Sequence, residues 1–237
     1  MIWILVAALI AGLVRGFSGF GTAMVFLPVA SQYLTPFEAI ASLAIMEFLG
    51  TFAVMRKSWG DAEKTDLARL VSGMFIVTPF ALLLLAQASS DFYRYSVSIL
   101  SLFLLILIGT GIRYKGKLNP FITFSVGGLG GLTGGLTGIP GPPVILLYVA
   151  SSHPISVIRA NNLLFLYFFD VCVVMFFLIS GVLTFKVILF GSILAIPNFL
   201  GNYFGAKFFD PNKNNQYRLF AYIIIAIAAI SGLPIWD

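Results

Sequence analysis

The residues that could do chemistry are few, and they stand in unusual places. Arg15, Glu47 and Asp170 lie inside long apolar runs. A charge at that depth in lipid is costly and is kept for a function or for a partner. Arg15 is either the partner of an anion or a cation snorkelling from a helix end. Glu47 and Asp170 are each either a proton-coupling carboxylate or the structural partner of an arginine. Arg159 opens a further apolar run, two residues before Asn161 and Asn162. It reads as a ligand-binding or gating group, or as an interfacial cation. Asn198 and Asn202 share one face of a helix interrupted by Pro197, a position suited to lining a cavity or to bonding across helices.

A second signal lies in the backbone. One glycine-rich stretch reads Arg15-Gly16-Phe17-Ser18-Gly19-Phe20-Gly21-Thr22. Another reads Gly130-Gly131-Leu132-Thr133-Gly134-Gly135-Leu136-Thr137-Gly138-Ile139-Pro140-Gly141-Pro142-Pro143. Continuous helix through the second is disfavoured by its stacked glycines and prolines. Breaks of this kind expose the first N–H groups of the following helix, where the dipole is positive. Glycine lets a ligand approach that backbone directly. Ser18, Thr22, Thr133 and Thr137 add hydroxyls. The candidate anion site is therefore Arg15, Phe17, Ser18, Gly19, Phe20 and Thr22 at the first break. Thr133, Gly134, Thr137, Gly138 and Ile139 supply the second, with Arg159, Asn161 and Asn162 nearby. Phe17 and Phe20 would contact an apolar part of the ligand or close its path. The competing reading of the glycines is close packing of a kinked helix on a neighbour.

The elements that position these residues follow from composition. Of 237 residues, 59% are hydrophobic and 10% are charged, and the mean hydropathy is +1.01. An average soluble domain carries about 25% charged residues. These values exclude a soluble enzyme, a nucleic-acid module and a disordered tail. The net charge of +5 resides in short gaps between apolar runs, where membrane topology puts it, so no nucleic-acid partner is expected. Cys172 is the only cysteine and His153 the only histidine, which argues against a disulfide framework or a metal centre. No phosphate-binding Gly-x-x-x-x-Gly-Lys-Ser/Thr motif is present, and no cofactor is expected. Met1 to Val14 lacks the basic segment of a cleavable signal peptide and reads as part of the mature structure. Glu38 and His153 read as loop residues facing headgroups or water. Cys172 and the many phenylalanines read as lipid-facing or packing residues.

Six runs suffice to cross a bilayer core of about 30 Å: 36–55, 67–88, 92–112, 155–180, 183–206 and 216–235. Residues 2–33 and 120–152 are too long for one straight span. Each is broken in the middle, and each half is about a half-span long. Both read as re-entrant helical hairpins with tips near the midplane, tolerable only if buried in protein or lining a wet cavity. A shift of 119 superposes Gly12, Leu13, Gly16, Gly19, Val25 and Leu27 on Gly131, Leu132, Gly135, Gly138, Val144 and Leu146. A shift of 118 pairs Pro36, Ile40, Gly73 and Pro79 with Pro154, Ile158, Gly191 and Pro197. Two copies follow, 1–118 and 119–237, each a hairpin plus three spans.

Lys and Arg concentrate in the gaps 56–69, 113–117 and 207–218, which places those gaps in the cytoplasm. Their counterparts, 181–186 and 89–94, hold only Lys186 and Arg94. The copies then face opposite ways and both termini lie outside. The fold class is an all-α polytopic membrane protein of two inverted repeats, a design that places ligands between the repeats.

Two stretches carry a family resemblance. Gly134-Gly135-Leu136-Thr137-Gly138-Ile139-Pro140-Gly141-Pro142-Pro143-Val144, followed by Ile158-Arg159-Ala160-Asn161, resembles the sulfite exporter TauE/SafE family. So does Arg15-Gly16-Phe17-Ser18-Gly19-Phe20-Gly21 with Pro28 after it. The resemblance spans essentially the whole chain. It implies a membrane transporter of two related halves for small sulfur oxyanions or C2 organosulfonates, with uptake and export both attributed to the family. The expectation is a non-enzymatic secondary transporter in a bacterial inner membrane. Its partners would be the lipid bilayer, a small anionic substrate, and a coupling proton or sodium ion carried at Glu47 or Asp170. The sequence carries no signal for an oligomeric state. The rival readings are an anion channel and, less favoured, a membrane-embedded enzyme. An epitope tag at either terminus is expected to be stained on intact spheroplasts; a tag readable only from the cytoplasm would reverse the assigned orientation.

Overall fold

The computed structural model describes residues 2–18, 20–110, 119–148, 153–208 and 214–235. Every element among them is an α-helix. In order these are α1 (Ile2–Ser18), α2 (Thr22–Ala30), α3 (Pro36–Asp61), α4 (Lys64–Leu85), α5 (Ser90–Thr110), α6 (Pro120–Thr137), α7 (Gly141–Tyr148), α8 (Ile155–Ile179), α9 (Phe185–Lys207) and α10 (Asn214–Gly232). Each of the six expected spans is a helix. Among the described residues, α4, α5, α8 and α9 are long and apolar enough to cross a membrane by themselves. The chain is an all-α polytopic membrane protein.

Local chemistry sets the helix starts. Thr35 caps α3 in a reciprocal box with Glu38, and Pro36 fills the first turn, where no N–H is needed. Glu38 is thus a capping residue. Asn119 precedes Pro120 in the same manner on α6, accepting from the Ile122 amide at 2.8 Å. Glu63 caps α4 and Thr184 caps α9. Burial raises the Glu63 carboxyl, but hydrogen bonds from Asp66 and Thr65 outweigh it and hold the group below the usual range.

The breaks fall between α1 and α2 and between α6 and α7, close to the middle of 2–33 and 120–152. α1 has 17 residues and α6 has 18. At about 1.5 Å per residue each of these arms is roughly 26 Å long, nearer a full span than a half. The glycine run is not unwound. α6 stays helical through Gly130, Gly131, Gly134 and Gly135, and ends at Gly138, whose φ of 80° is the left-handed stop that favours glycine. Gly21, with φ 97°, plays the opposite part by starting α2. Only Gly138-Ile139-Pro140 lies between α6 and α7. Pro140 then folds back against Gly130 and Gly134, so the chain reverses along its own helix.

Most of the remaining glycines are contact surfaces. Gly127, Gly131 and Gly135 line one face of α6, and a Cβ at any of them would strike Leu70, Met74, Thr78 or Ala81 of α4. Gly73 of α4 answers against Phe124 and Gly128. Gly130 and Gly134, on another face, receive the rings of Phe165 and Phe169 from α8. The same device joins α1 to α9: Gly12 and Gly16 sit on the backbone of Asn198, Asn202 and Gly205, while Gly201 and Gly205 sit on that of Leu9 and Leu13. Small residues allow backbones to meet where lipid supplies no hydrophobic drive. α3 packs between α8 and α9, and α10 closes over α2 and α5.

Arg94, counted above as a loop cation, is buried on α5 and donates from Nε to the Gly232 carbonyl at 3.3 Å. It satisfies the carbonyl end of α10 and complements its dipole. Cys172 is buried and packs within the core. Gly73→Leu should destabilise the detergent-purified protein by at least roughly 1–3 kcal/mol, read as an earlier thermal melt. Gly50→Ala, with nothing within 4 Å of the added carbon, should leave the melt unchanged.

Candidate functional site

Both breaks open on one cavity of about 70 Å³. One water requires roughly 10–15 Å³ on this measure, so a small solvated ion fits. Five helices and the two breaks build its chemistry. From the end of α1 comes Arg15. The break and the start of α2 supply Phe20, Gly21, Thr22, Ala23 and Met24. The second break contributes Gly138, Ile139 and Pro140, followed by Gly141, Pro142 and Ile145 of α7. α3 adds Leu43 and Glu47, and α8 adds Asn162, Leu166, Phe169 and Asp170. Leu43 and Glu47 are one helical turn apart; Asn162, Leu166, Phe169 and Asp170 share a single face.

The electrostatics centre on Arg15. Its guanidinium forms an ion pair with Glu47 Oε2. Asp170, also buried, acts on the same guanidinium electrostatically. Glu47 is thus an ion-pair partner of the arginine and Asp170 a buried charge acting on it, an arrangement that leaves both acids open to either role named in the sequence. Glu47 Oε1 and Asn162 Oδ1 are buried and make no hydrogen bond. An unpaired buried acceptor is costly, so both atoms are places where a donor or a cation would be held.

The two helix starts differ in donors. In α2 the first intrahelical bond is Val25 N–H to Gly21 O at 3.1 Å, so the amides of Thr22, Ala23 and Met24 precede it at the cavity wall. In α7 the equivalent places hold Pro140, Pro142 and Pro143, and only Gly141 among them has an N–H. The symmetrical pair of amide cradles expected from the sequence is therefore one-sided.

Other expected residues lie elsewhere. Thr133 donates to the Leu129 carbonyl and Thr137 to the Thr133 carbonyl, both within α6. Gly134 is a packing surface. Arg159 is exposed, away from the cavity. Asn161 donates to the Tyr148 hydroxyl at 2.6 Å and to the Glu63 carbonyl at 3.2 Å, tying α7 and α8 to the α3–α4 connection. His153 joins that junction through Asp66 at 3.3 Å rather than facing headgroups alone. Asn198 donates across helices to the Ala8 carbonyl, and Asn202 belongs to the α1–α9 seam. The side chains of Phe17 and Ser18, and Gly19 entirely, fall outside the described residues. Leu43, Met24, Leu166 and Phe169 were missed in the sequence. Counting turns from Glu47 and Asp170 along their own helices would have found Leu43, Leu166 and Phe169.

A family model described as Sulfite exporter TauE/SafE matches residues 4–232. The chain belongs to the sulfite exporter TauE/SafE family. No curated protein and no solved structure matches it. The match runs from the first turn of α1 to the end of α10, taking in both breaks, and makes this TauE/SafE chain a membrane protein of a transporter family. The cavity around Arg15 is the feature of the fold that unites the intramembrane charges with both breaks.

Arg15→Gln leaves Glu47 and Asp170 without their shared cation, and breaking a buried pair costs about 3–5 kcal/mol. The thermal melt should fall accordingly, and Glu47→Gln, which leaves Asp170 opposite the guanidinium, should lower it less. An Arg15→Gln variant that melts like the parent would show that the cluster is not buried in lipid or detergent.

Proposed function

We propose that the chain is a secondary transporter for a small sulfur-containing anion of the sulfite or C2 organosulfonate class, bound in the Arg15 cavity between the two breaks. The observation that carries this reading is the convergence on one cavity of Arg15, the α2 amides and both chain reversals. The anionic group sits at the start of α2, where the first N–H groups of the helix and its dipole favour it. Arg15 supplies charge once a carboxylate has released it. Phe20, Ile145, Leu166 and Phe169 face the uncharged part of the ligand. Sulfite, which lacks such a part, uses the polar end alone.

The two-copy organisation, 1–118 and 119–237, is part of the same reading. Helix pairing supports it. If α1–α5 correspond to α6–α10, the α1–α9 seam corresponds to α6–α4, and the α3–α9 contact to α8–α4; all of these pairs are present. α3 with α8 and α5 with α10 pack on their own counterparts. Opposed copies around one cavity suit alternating access, with both termini outside and the cationic gaps in the cytoplasm. Bacterial inner membrane is the location that fits.

Purified protein in a thermal-shift screen should be stabilised by sulfite or C1–C3 sulfonates and less by matching carboxylates; ligand at 100 times its Kd gives about 2.7 kcal/mol. Arg15→Gln/Glu47→Gln, which keeps the charge balance, should abolish the shift. Selective stabilisation by a neutral sugar or a metal cation would overturn the substrate class.

A further inference from the structure

The cavity holds one positive and two negative groups: Arg15, Glu47 and Asp170. Fully ionised, the cluster carries one negative charge before any ligand enters. A singly charged anion would double that charge inside a medium that screens poorly. No other titratable side chain lines the cavity among the described residues. α2 and α7 contribute none to its wall. The titratable groups on the helices packed against α3 and α8 lie toward helix ends: Lys64, Asp66 and Arg69 on α4, Tyr148 on α7, Lys186, Tyr203 and Lys207 on α9. The compensating charge must come from outside the protein. The structure also shows where it would bind. Glu47 is 8% exposed, lines the cavity, and keeps Oε1 without a hydrogen bond. Asn162 Oδ1, likewise unbonded, lies on the same wall as Asp170.

We propose that Glu47 and Asp170 share a coupling proton, so that each singly charged anion entering the Arg15 cavity is carried with one proton and the cycle moves no net charge. This deepens the transport reading above and rests on it. On entry, a hydronium ion from the loading side gives its proton to a carboxylate oxygen, forming an O–H bond and leaving water. The neutralised acid loosens its hold on Arg15, and the anion takes that place. On release, the O–H bond breaks toward water on the opposite side, and the carboxylate returns to Arg15. A proton needs only one of the five side-chain oxygens of Glu47, Asp170 and Asn162, whereas sodium needs several oxygens converging on one point at once, and Arg15 already engages Glu47 Oε2.

The test uses purified protein in liposomes containing a pH dye, given a gradient of labelled methanesulfonate, which is singly charged. Expected are uptake, acidification of the lumen by one proton per anion, and no current on a supported membrane. In Asp170→Asn and Glu47→Gln the proton flux per anion should fall to zero. Uptake with a negative inward current and no acidification overturns the proposal, as does uptake that requires sodium at constant lumenal pH. Absence of uptake for every sulfonate and for sulfite defeats the transport reading instead. In that case the shared proton is judged separately, by infrared difference spectra of the purified protein across about pH 5 to 8. A protonated-carboxyl band removed by each of the two substitutions supports it, and no such band overturns it.

Discussion

A guanidinium inside a helical bundle surrounded by lipid cannot leave its charge unanswered, because little water is available to solvate it. Arg15 meets that constraint with Glu47 from α3 and Asp170 from α8. Three helices distant in sequence are thereby drawn to one point. The reversals of chain at Gly21 and Gly138 are drawn there as well, since loosened backbone must be sheltered from hydrocarbon. The cavity is what remains between these obligations. Its polarity is concentrated around Arg15, and most of the rest of its wall is apolar.

Such a cluster needs a frame that does not drift. The seams α1–α9 and α4–α6 provide one by letting main chains touch, with glycine on both partners of each seam. The arms that bear the breaks are α1 and α6, so each break hangs from the most closely packed helix of its neighbourhood. α3 and α8, which carry the two acids, cross at the centre and pack on each other and on α9 or α4. Arg94 and the capping residues finish the helix ends, leaving little backbone polarity to solve elsewhere.

Much of this was legible in the sequence. Apolar length located six of the helices, four of which are long and apolar enough to cross a membrane by themselves. Lone charges in apolar runs pointed to Arg15, Glu47 and Asp170, and all three line one cavity. Glycine was harder to read. At Gly21 and Gly138 it permits a left-handed backbone; at Gly127, Gly131 and Gly135 it permits contact with α4, and composition cannot separate these uses. Prolines, which mark the chain reversal more sharply, also removed the amides that the reversal was expected to present. The hydroxyls of Thr133 and Thr137 were spent on their own helix, as hydroxyls in apolar surroundings often are. Asparagines proved mixed: Asn162 reached the cavity, while its neighbour Asn161, rotated by about 100° on the same helix, became a strut between α7 and the α3–α4 connection.

The prolines after Gly138 have one more effect. The wall of the chamber joins Pro140, Pro142 and Ile145 from the second break and α7 to Arg15 and the start of α2 at the first. Donors and bare carbon are therefore shared unequally between the two breaks. On the transport reading, a guest with two unlike ends would meet N–H groups at one break and mostly carbon at the other, and the berth would tell front from back.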